Sequence, residues 1–471
     1  MKLPALLILI FLSAMAASGQ DNHIYGTVGV GANLNLPNRV PFWFRANQFG
    51  STPLPGASGS VYGSFHKYYD TVDNPLIDWG GGLELRGDAG PNTRGTIVEG
   101  YLKAALSIFE LKAGRLKETV GLADSTLSSG SFDVSGNALG IPQVELSIPQ
   151  FYTIPVLKGL FAIKGSFAVG WAGQTSTDIK SSQPYNSYYH QKSFYVRLGQ
   201  PGWRIHFTGG VNHQVIYGGE QLTYGSGYKL NGFQSFLHAA TGKRYLGHRI
   251  GNNLGSVDMG AEIELNTVRV FLYRQSFYDQ SGLFHLANLR DGLNGISLTN
   301  KEPGYGNMRW HKLVLEFLYS NDQAHLSRPA ENYYNDVDYP QGWSYKGAGL
   351  GNPLLSNNLY LRFQPYNQTD RFINNRVIAL HGGLDASLFN FDIRGKLTYS
   401  KNYGTFNPAQ QQGTHDPSAY PISDGVGEVS GYLEVSRKLP HELRIGAAAA
   451  LDYGHLLYNT AGAMLILTKS F

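Results

Sequence analysis

No cysteine occurs in the 471 residues. Disulfides, cysteine-ligated zinc and thiol catalysis are therefore excluded. Charge is also scarce. Asp, Glu, Lys and Arg make up 15% of the chain, where about 25% is ordinary. The net charge of +4 supplies no strongly basic face, so no nucleic-acid partner is expected. After the first residues, no apolar run approaches the ~18 residues of a membrane helix. HExxH, Walker A, GxSxG and dinucleotide GxGxxG motifs are all missing. The fourteen histidines are scattered singly. Gly347-Ala348-Gly349-Leu350-Gly351 runs into Asn352-Pro353 where a phosphate loop needs a helix, so it reads as a loop bend. Asn335, Asp336 and Asp338 could approach Ca²⁺, but the EF-hand spacing is absent and a solvated loop is expected. No pair of carboxylates stands out as a glycosidase pair. The expectation is a chain with no catalytic residue, no metal and no cofactor.

What is present begins at the N-terminus. Lys2 precedes an almost wholly apolar run, Leu3 to Ala17, followed by the small residues Ala17-Ser18-Gly19. This is the pattern of a secretory signal peptide, residues 1–19, with Gln20 as the new N-terminus. The run is short for a bilayer span of roughly 20 residues. No repeat, linker or composition shift divides residues 20–471, so one domain is expected there. Glycine is abundant, 58 residues against a usual ~7%. There are 30 Tyr and 24 Phe. An exported chain of this size without disulfides requires another framework, and an extensive hydrogen-bonded sheet supplies one. If that sheet crosses a membrane it must close, because no other strand arrangement satisfies the backbone in lipid.

Period-2 patterning recurs along the chain. Leu443, Ile445, Ala447, Ala449, Leu451 and Tyr453 form one apolar row, with Arg444 and Asp452 on the other face. Val98, Leu102, Ala104, Leu106 and Ile108 form another, opposite Glu99 and Lys103. Gly82–Asp88 and Phe194–Leu198 alternate in the same way. The apolar phase flips across Asn266-Thr267, from Ile263 and Leu265 to Val268, Val270 and Leu272, as at a tight hairpin. Phe389-Asn390 repeats the pattern. Four stretches, 174–191, 218–230, 321–351 and 403–424, are long, polar and rich in Gly, Tyr, Asn and Pro. Short turns at one end and long loops at the other are the outer-membrane barrel pattern. A soluble antiparallel sandwich would alternate likewise. The leader, the size, the tyrosine content and a final strand ending on Phe471 favour the barrel. Acid and base pairs such as Glu84/Arg86, Glu99/Lys103 and Asp392/Arg394 would line its lumen, salt-bridged between strands.

Following the strands outward from Asn266-Thr267 puts 275–288 and 321–351 on the same, external side. There Glu331-Asn332-Tyr333-Tyr334-Asn335 and Gln341-Gly342-Trp343-Ser344-Tyr345-Lys346 combine flat rings with amides. Such a surface suits the apolar faces and hydroxyls of sugars. It would equally suit an interfacial aromatic girdle. On the first reading Tyr333, Tyr334, Trp343 and Tyr345 contact sugar, with Arg290, Asp291 and Asn332 as hydrogen-bonding partners.

Several segments, in order, resemble one family. They are Ser125–Ser131, Ser135–Ala138 and Ile141–Gln143, then His190–Tyr195, Asn212–Gln214 and Gly251–Ser256. Leu272–Gln275 running into Leu289–Leu293, and Leu313–Tyr319, carry the likeness furthest. Glu331–Tyr334, Gly342-Trp343 and Gly351–Leu354 complete a set that runs from about Pro41 to Tyr403. The set resembles the capsule assembly Wzi family in its Bacteroidetes branch. That resemblance implies an all-β, transmembrane antiparallel β-barrel, monomeric, of about 18 strands. It implies a small helical plug toward the periplasm and long extracellular loops closing the lumen. It further implies a lectin that helps attach exported capsular polysaccharide to the cell surface, in contact with outer-membrane lipid and lipopolysaccharide. The competing class is a porin or sugar-uptake channel, and a third is an outer-membrane lipase or deacylase.

Overall fold

Residues that alternate between apolar and polar along an extended chain build strands with one lipid face and one lumen face. The computed structural model describes residues 24–471 except 53, 71–74, 176–183, 280–282, 284, 305, 325–330, 337, 363–369 and 406–423. The expected signal peptide lies outside the described residues. Eighteen strands form one antiparallel sheet. In chain order they start with β1 (Ile24–Leu36), β2 (Ala57–Lys67), β3 (Ile77–Ala89), β4 (Arg94–Leu106), β5 (Phe109–Arg115) and β6 (Gln143–Thr153). Then follow β7 (Phe161–Thr175), β8 (Tyr185–Leu198), β9 (Ile205–Tyr217), β10 (Asn252–Glu264), β11 (Val268–Tyr278) and β12 (Gly292–Asn300). The last are β13 (Met308–Tyr319), β14 (Val377–Leu388), β15 (Phe391–Asn402), β16 (Val426–Lys438), β17 (Leu443–Gly454) and β18 (Thr460–Ser470). Each pairs with its sequence neighbour, and β18 pairs with β1 from Thr27↔Ser470 to Leu36↔Ala461, which closes the barrel. Phe471 extends the seam: its N–H donates to Gly26 O at 3.0 Å and its carbonyl accepts from Gly26 N–H at 2.9 Å.

The alternation expected for β17 is present. Ile445, Leu451 and Tyr453 are exposed outward, while Ala448, Ala450 and Asp452 are buried inward. In β4 the row breaks at its upper end. Glu84 faces Glu99 and Leu85 faces Ile97, so Val98 is the extra residue of a bulge and is buried, whereas Leu102 and Leu106 face out. The ion pairs connect neighbouring strands and loops. Arg394 meets Asp385 at 3.2 Å and Lys112 meets Glu145 at 3.0 Å.

Turns at the end holding Ile24 and Phe471 are short: 107–108, 265–267, 389–390 and 439–442 among them. The other end carries 37–56, 116–142, 218–251, 320–376 and 403–425. This is the extracellular end, and the hairpin at Asn266-Thr267 lies opposite it, as expected. One expected loop is partly strand. Within 174–191, β7 runs to Thr175 and β8 begins at Tyr185, pairing Thr175↔Tyr185. The polar residues there do not mark a loop: Gln191 faces the lumen toward Glu118, and a later segment covers His190 on the outside.

The lumen is filled from the extracellular end. Segment 116–142 drops inside and bonds to the wall. Ser129 N–H donates to Glu316 at 2.7 Å and Lys312 Nζ meets Asp124 at 2.8 Å. His381 Nε2 lies 2.7 Å from Leu127 O. This plug contains no helix, and it enters from outside rather than from the periplasmic end. Its sequence, Ser-Thr-Leu-Ser-Ser-Gly-Ser-Phe from Ser125 on, is a poor helix former, and Gly121, Gly130 and Gly136 hold positive φ. Among the described residues, the helix inside the barrel is a single turn, α1 (Phe42–Arg45). The hydrophobic core therefore sits in the extracellular half of the lumen. There Phe132 stacks on Phe277 at 4.2 Å, with Tyr333 and Tyr334 against it at 5.2 and 5.0 Å.

Candidate functional site

Ser344–Gly349 folds as a tight hairpin, pairing Ser344↔Gly349 and Tyr345↔Ala348. Its two turn residues, Lys346 and Gly347, have φ of 48° and 84°. Positive φ at both places is the requirement of the favoured two-residue hairpin turn, and glycine meets it without steric cost. The hairpin is anchored from behind. Trp343 is fully buried, its N–H donates to Tyr334 O, and its indole Nε1 donates to Asp133 O, each at 2.7 Å. The tip is left between two cavities of about 1300 and 480 Å³, both lined by Tyr345, Lys346 and Gly347.

The larger cavity is cationic and aromatic. Arg39 stacks on Tyr458 at 3.8 Å and Arg45 on Tyr360 at 3.7 Å. An Arg115 nitrogen lies 3.4 Å from the Tyr345 hydroxyl. Lys346 adds one more cation, and Arg94 lines the cavity while paired with the buried Asp88 at 2.9 Å. Asp452 is the carboxylate of the lining, and it is already engaged by Phe42 N–H, Ser430 and Thr460. Planar guanidinium groups held over rings can bond carboxylates in a fork and also present flat apolar faces. Sugars that carry acid groups fit that combination.

The barrel rim is low beside these cavities. β5 ends at Arg115 and pairs with β4 only up to Gly100, although β4 continues to Arg94. β6 starts at Gln143 opposite Gly170, although β7 continues to Thr175. The notch between has Ile97, Gly100 and Arg115 on the larger cavity and Trp171 and Thr175 on the smaller.

The residues expected to touch sugar divide. Tyr345 lines both cavities. Tyr333, Tyr334 and Trp343 are 0% exposed and form the packing beneath it. Tyr333 OH donates to Asp291 at 2.7 Å, and Tyr334 OH to Phe132 O. Asp291 is buried and also accepts from the N–H groups of Asp322 and Gln323. Burial pushes its carboxyl up to about 6. Asn332 ties loops together, donating to Asp370 at 3.1 Å and accepting from Thr405 at 2.9 Å. Arg290 is exposed at the extracellular end. Below the site, burial and then the nearby Glu145 push the plug's Glu118 up to about 7. Asp133 is held well above the carboxylate range by burial and by Asp258. The cavity arginines and their partner rings Tyr360 and Tyr458 were not legible as a site. They come from five separated segments that only the barrel brings together. Among the described residues, no group of three or more His, Asp or Glu is placed to hold a metal.

No curated protein matches the chain by sequence. Among solved structures, an outer-membrane protein of Escherichia coli involved in group 1 capsule assembly, Wzi, described as a carbohydrate-binding β-barrel, aligns with a TM-score of 0.56 and 11% identity. The alignment covers 98% of this chain and 86% of that one. OpdL of Pseudomonas aeruginosa aligns at a TM-score of 0.48 and 7% identity, over 95% of this chain and 98% of that one. OccAB4 of Acinetobacter baumannii gives 0.44 and 8%, over 96% and 99%. At these identities the likeness is one of fold. Residues 47–360 match the family described as capsule assembly protein Wzi, so this outer-membrane barrel belongs to the capsule assembly protein Wzi family.

Proposed function

We propose that the protein binds exported surface polysaccharide at the cavity around Tyr345 and helps attach it to the cell surface, without catalysing a reaction. The polysaccharide is capsular where the cell makes a capsule. The observation that supports this reading is a cationic, ring-lined cavity open to the outside above a filled lumen. The carbohydrate binding described for the Escherichia coli relative agrees with it. In this reading Tyr345 stacks on sugar, and Arg39 and Arg115 bond its acid groups. Tyr333, Tyr334, Trp343, Asp291 and Asn332 hold the hairpin in place, and Arg290 extends the outer rim. One barrel is the working unit.

The test is binding of the full-length protein, in detergent, to an immobilised acidic polysaccharide and to the same polymer with its carboxyls reduced. An Arg39→Gln/Arg115→Gln variant should bind the acidic polymer about tenfold or more weakly, since each charge-assisted hydrogen bond contributes roughly 1.5–3 kcal/mol. Carboxyl reduction should have the same effect on the parent. Equal binding by parent and variant would refute the site. The rival channel reading is disfavoured by the plug. A conducting parent protein in planar bilayers would restore it.

A further inference from the structure

The outer wall of β8 and β9 breaks the lipid-facing rule. On β8, Phe194 and Leu198 face out and are exposed, but the same row continues upward through Lys192 and His190. On β9, Phe207 and Val211 are exposed outward, and the row continues through His213, Val215 and Tyr217. Charged and imidazole groups on a lipid face are costly. The chain covers them itself. Segment 218–251 leaves the extracellular rim and folds back over the outside of the barrel. Its helix α3 (Gly232–Thr241) follows the five-residue α2 (Glu220–Tyr224). Asn231 and Gln234 cap α3 reciprocally, at 2.9 and 3.0 Å, and Gly242 ends it in the left-handed region. The Phe236 ring sits 5.5 Å from His190 and 6.3 Å from the outward Phe167. Lys192 Nζ donates to Ala240 O. Ala239 and Ile250 pack on Val215 and Tyr217.

Among the described residues, the other face of this segment is left exposed, and its make-up is unusual. Phe233 is 68% exposed and Leu246 60%, with Leu222 and Leu237 also exposed. Phe233 and Leu237 are four residues apart and so share one helix face. Lys229, Lys243 and Arg244 are exposed beside them. The carboxylate of the segment, Glu220, is buried and accepts from Gly218 N–H and Tyr339 OH. An amphipathic helix with large apolar residues and neighbouring cations is the pattern of an element lying in a membrane interface. Its position continues the lipid-facing wall at the extracellular end, so the interface it meets is the outer leaflet.

We propose that segment 218–251 is a docking site for a phosphorylated outer-leaflet glycolipid of the lipid A class. Phe233, Leu237, Leu222 and Leu246 enter the acyl layer, and Lys229, Lys243 and Arg244 bind the headgroup phosphates. The site lies on the outside of the barrel wall and is separate from the polysaccharide cavity. It would fix the protein beside the anionic lipid over which surface polysaccharide is held.

The experiment titrates full-length protein in detergent with bisphosphorylated lipid A, with fully dephosphorylated lipid A and with phosphatidylglycerol. Binding is read by native mass spectrometry. The parent should retain bisphosphorylated lipid A, and the Lys229→Gln/Lys243→Gln/Arg244→Gln variant should bind it about tenfold or more weakly. The dephosphorylated lipid should bind the parent as weakly as the full lipid binds the variant. Heat-modifiable migration on a gel should be the same for both proteins, since the three side chains are exposed. A Phe233→Ser/Leu237→Ser variant, also at exposed positions, should lose lipid A with its cations intact. The proposal fails if the triple variant keeps lipid A as well as the parent does. It also fails if phosphatidylglycerol binds as tightly as lipid A, because the face would then recognise any anionic lipid.

Discussion

Phe132 is where plug, wall and loop meet, and removing its ring should loosen the plug without opening the barrel seam. The side chain is fully buried. It stacks on Phe277 of β11 at 4.2 Å and 11°, and lies 5.2 Å from Tyr333 and 5.0 Å from Tyr334. A buried Phe→Ala change costs about 3–5 kcal/mol, counting lost transfer energy and the cavity left behind. Aromatic pairs of this geometry add about 0.5–1.5 kcal/mol beyond burial, and the three pairs here place the change toward the upper part of that range. The strand ladder is untouched, so the loss falls on local opening of 116–142. At about 1.4 kcal/mol per factor of ten, amide protection in the plug should fall roughly 10³-fold or more. Hydrogen exchange of the detergent-folded protein, read by mass spectrometry on peptides from 116–142, measures this. Peptides from β16 to β18 are the internal reference. Exchange in the plug that quickens less than about threefold would show that Phe132 does not hold it.

Four further outcomes follow from the geometry. In Gly383→Val, a Cβ would meet Leu127 O at 2.8 Å, so the plug should be displaced and its exchange should quicken while the barrel still forms. In Gly26→Val, a Cβ would meet the Phe471 ring at 2.2 Å, and the yield of heat-modifiable barrel should fall on refolding. Glu118 is neutral well above the ordinary carboxylate range, at about 7, against about 4.3 unfolded. Its contribution to plug stability is therefore full below about pH 4 and lost as pH rises through about 7; Glu118→Gln should flatten the pH dependence of plug exchange between pH 5 and 8. Lys346→Glu, at the hairpin tip, should weaken binding of acidic polysaccharide on an immobilised surface by about tenfold and leave folding unchanged.

The wall was readable because its physics is local. A period of two along Leu443–Tyr453 or a phase flip at Asn266-Thr267 needs no knowledge of distant residues, and both features stand in the structure. The pattern failed where a distant segment changed the solvent of a face. His190 looks like a loop residue until α3 covers it. Val98 belongs to the outward row until a bulge turns it inward. The aromatic stretch from Tyr333 to Tyr345 was visible as important, but composition does not separate a ring that packs from a ring that binds. Trp343 and Tyr333 are wholly buried, whereas Tyr345, still 7% exposed, and Tyr339 line cavities. Arg39, Arg45, Arg94 and Arg115 carried no signal at all, because one lies in a loop and the others at the ends of three different elements. Their convergence is a property of barrel closure.

Retention of polysaccharide by living cells reports whether the barrel holds polymer at the surface. A strain lacking this chain is compared with the same strain carrying either the parent or the Arg39→Gln/Arg115→Gln variant. Cell-associated and released polymer are measured after washing. The deletion strain and the variant strain should release polymer to the medium at unchanged total synthesis, and the parent should restore it to the surface. A deletion strain that keeps its polysaccharide on the cell would show that this barrel does not attach it.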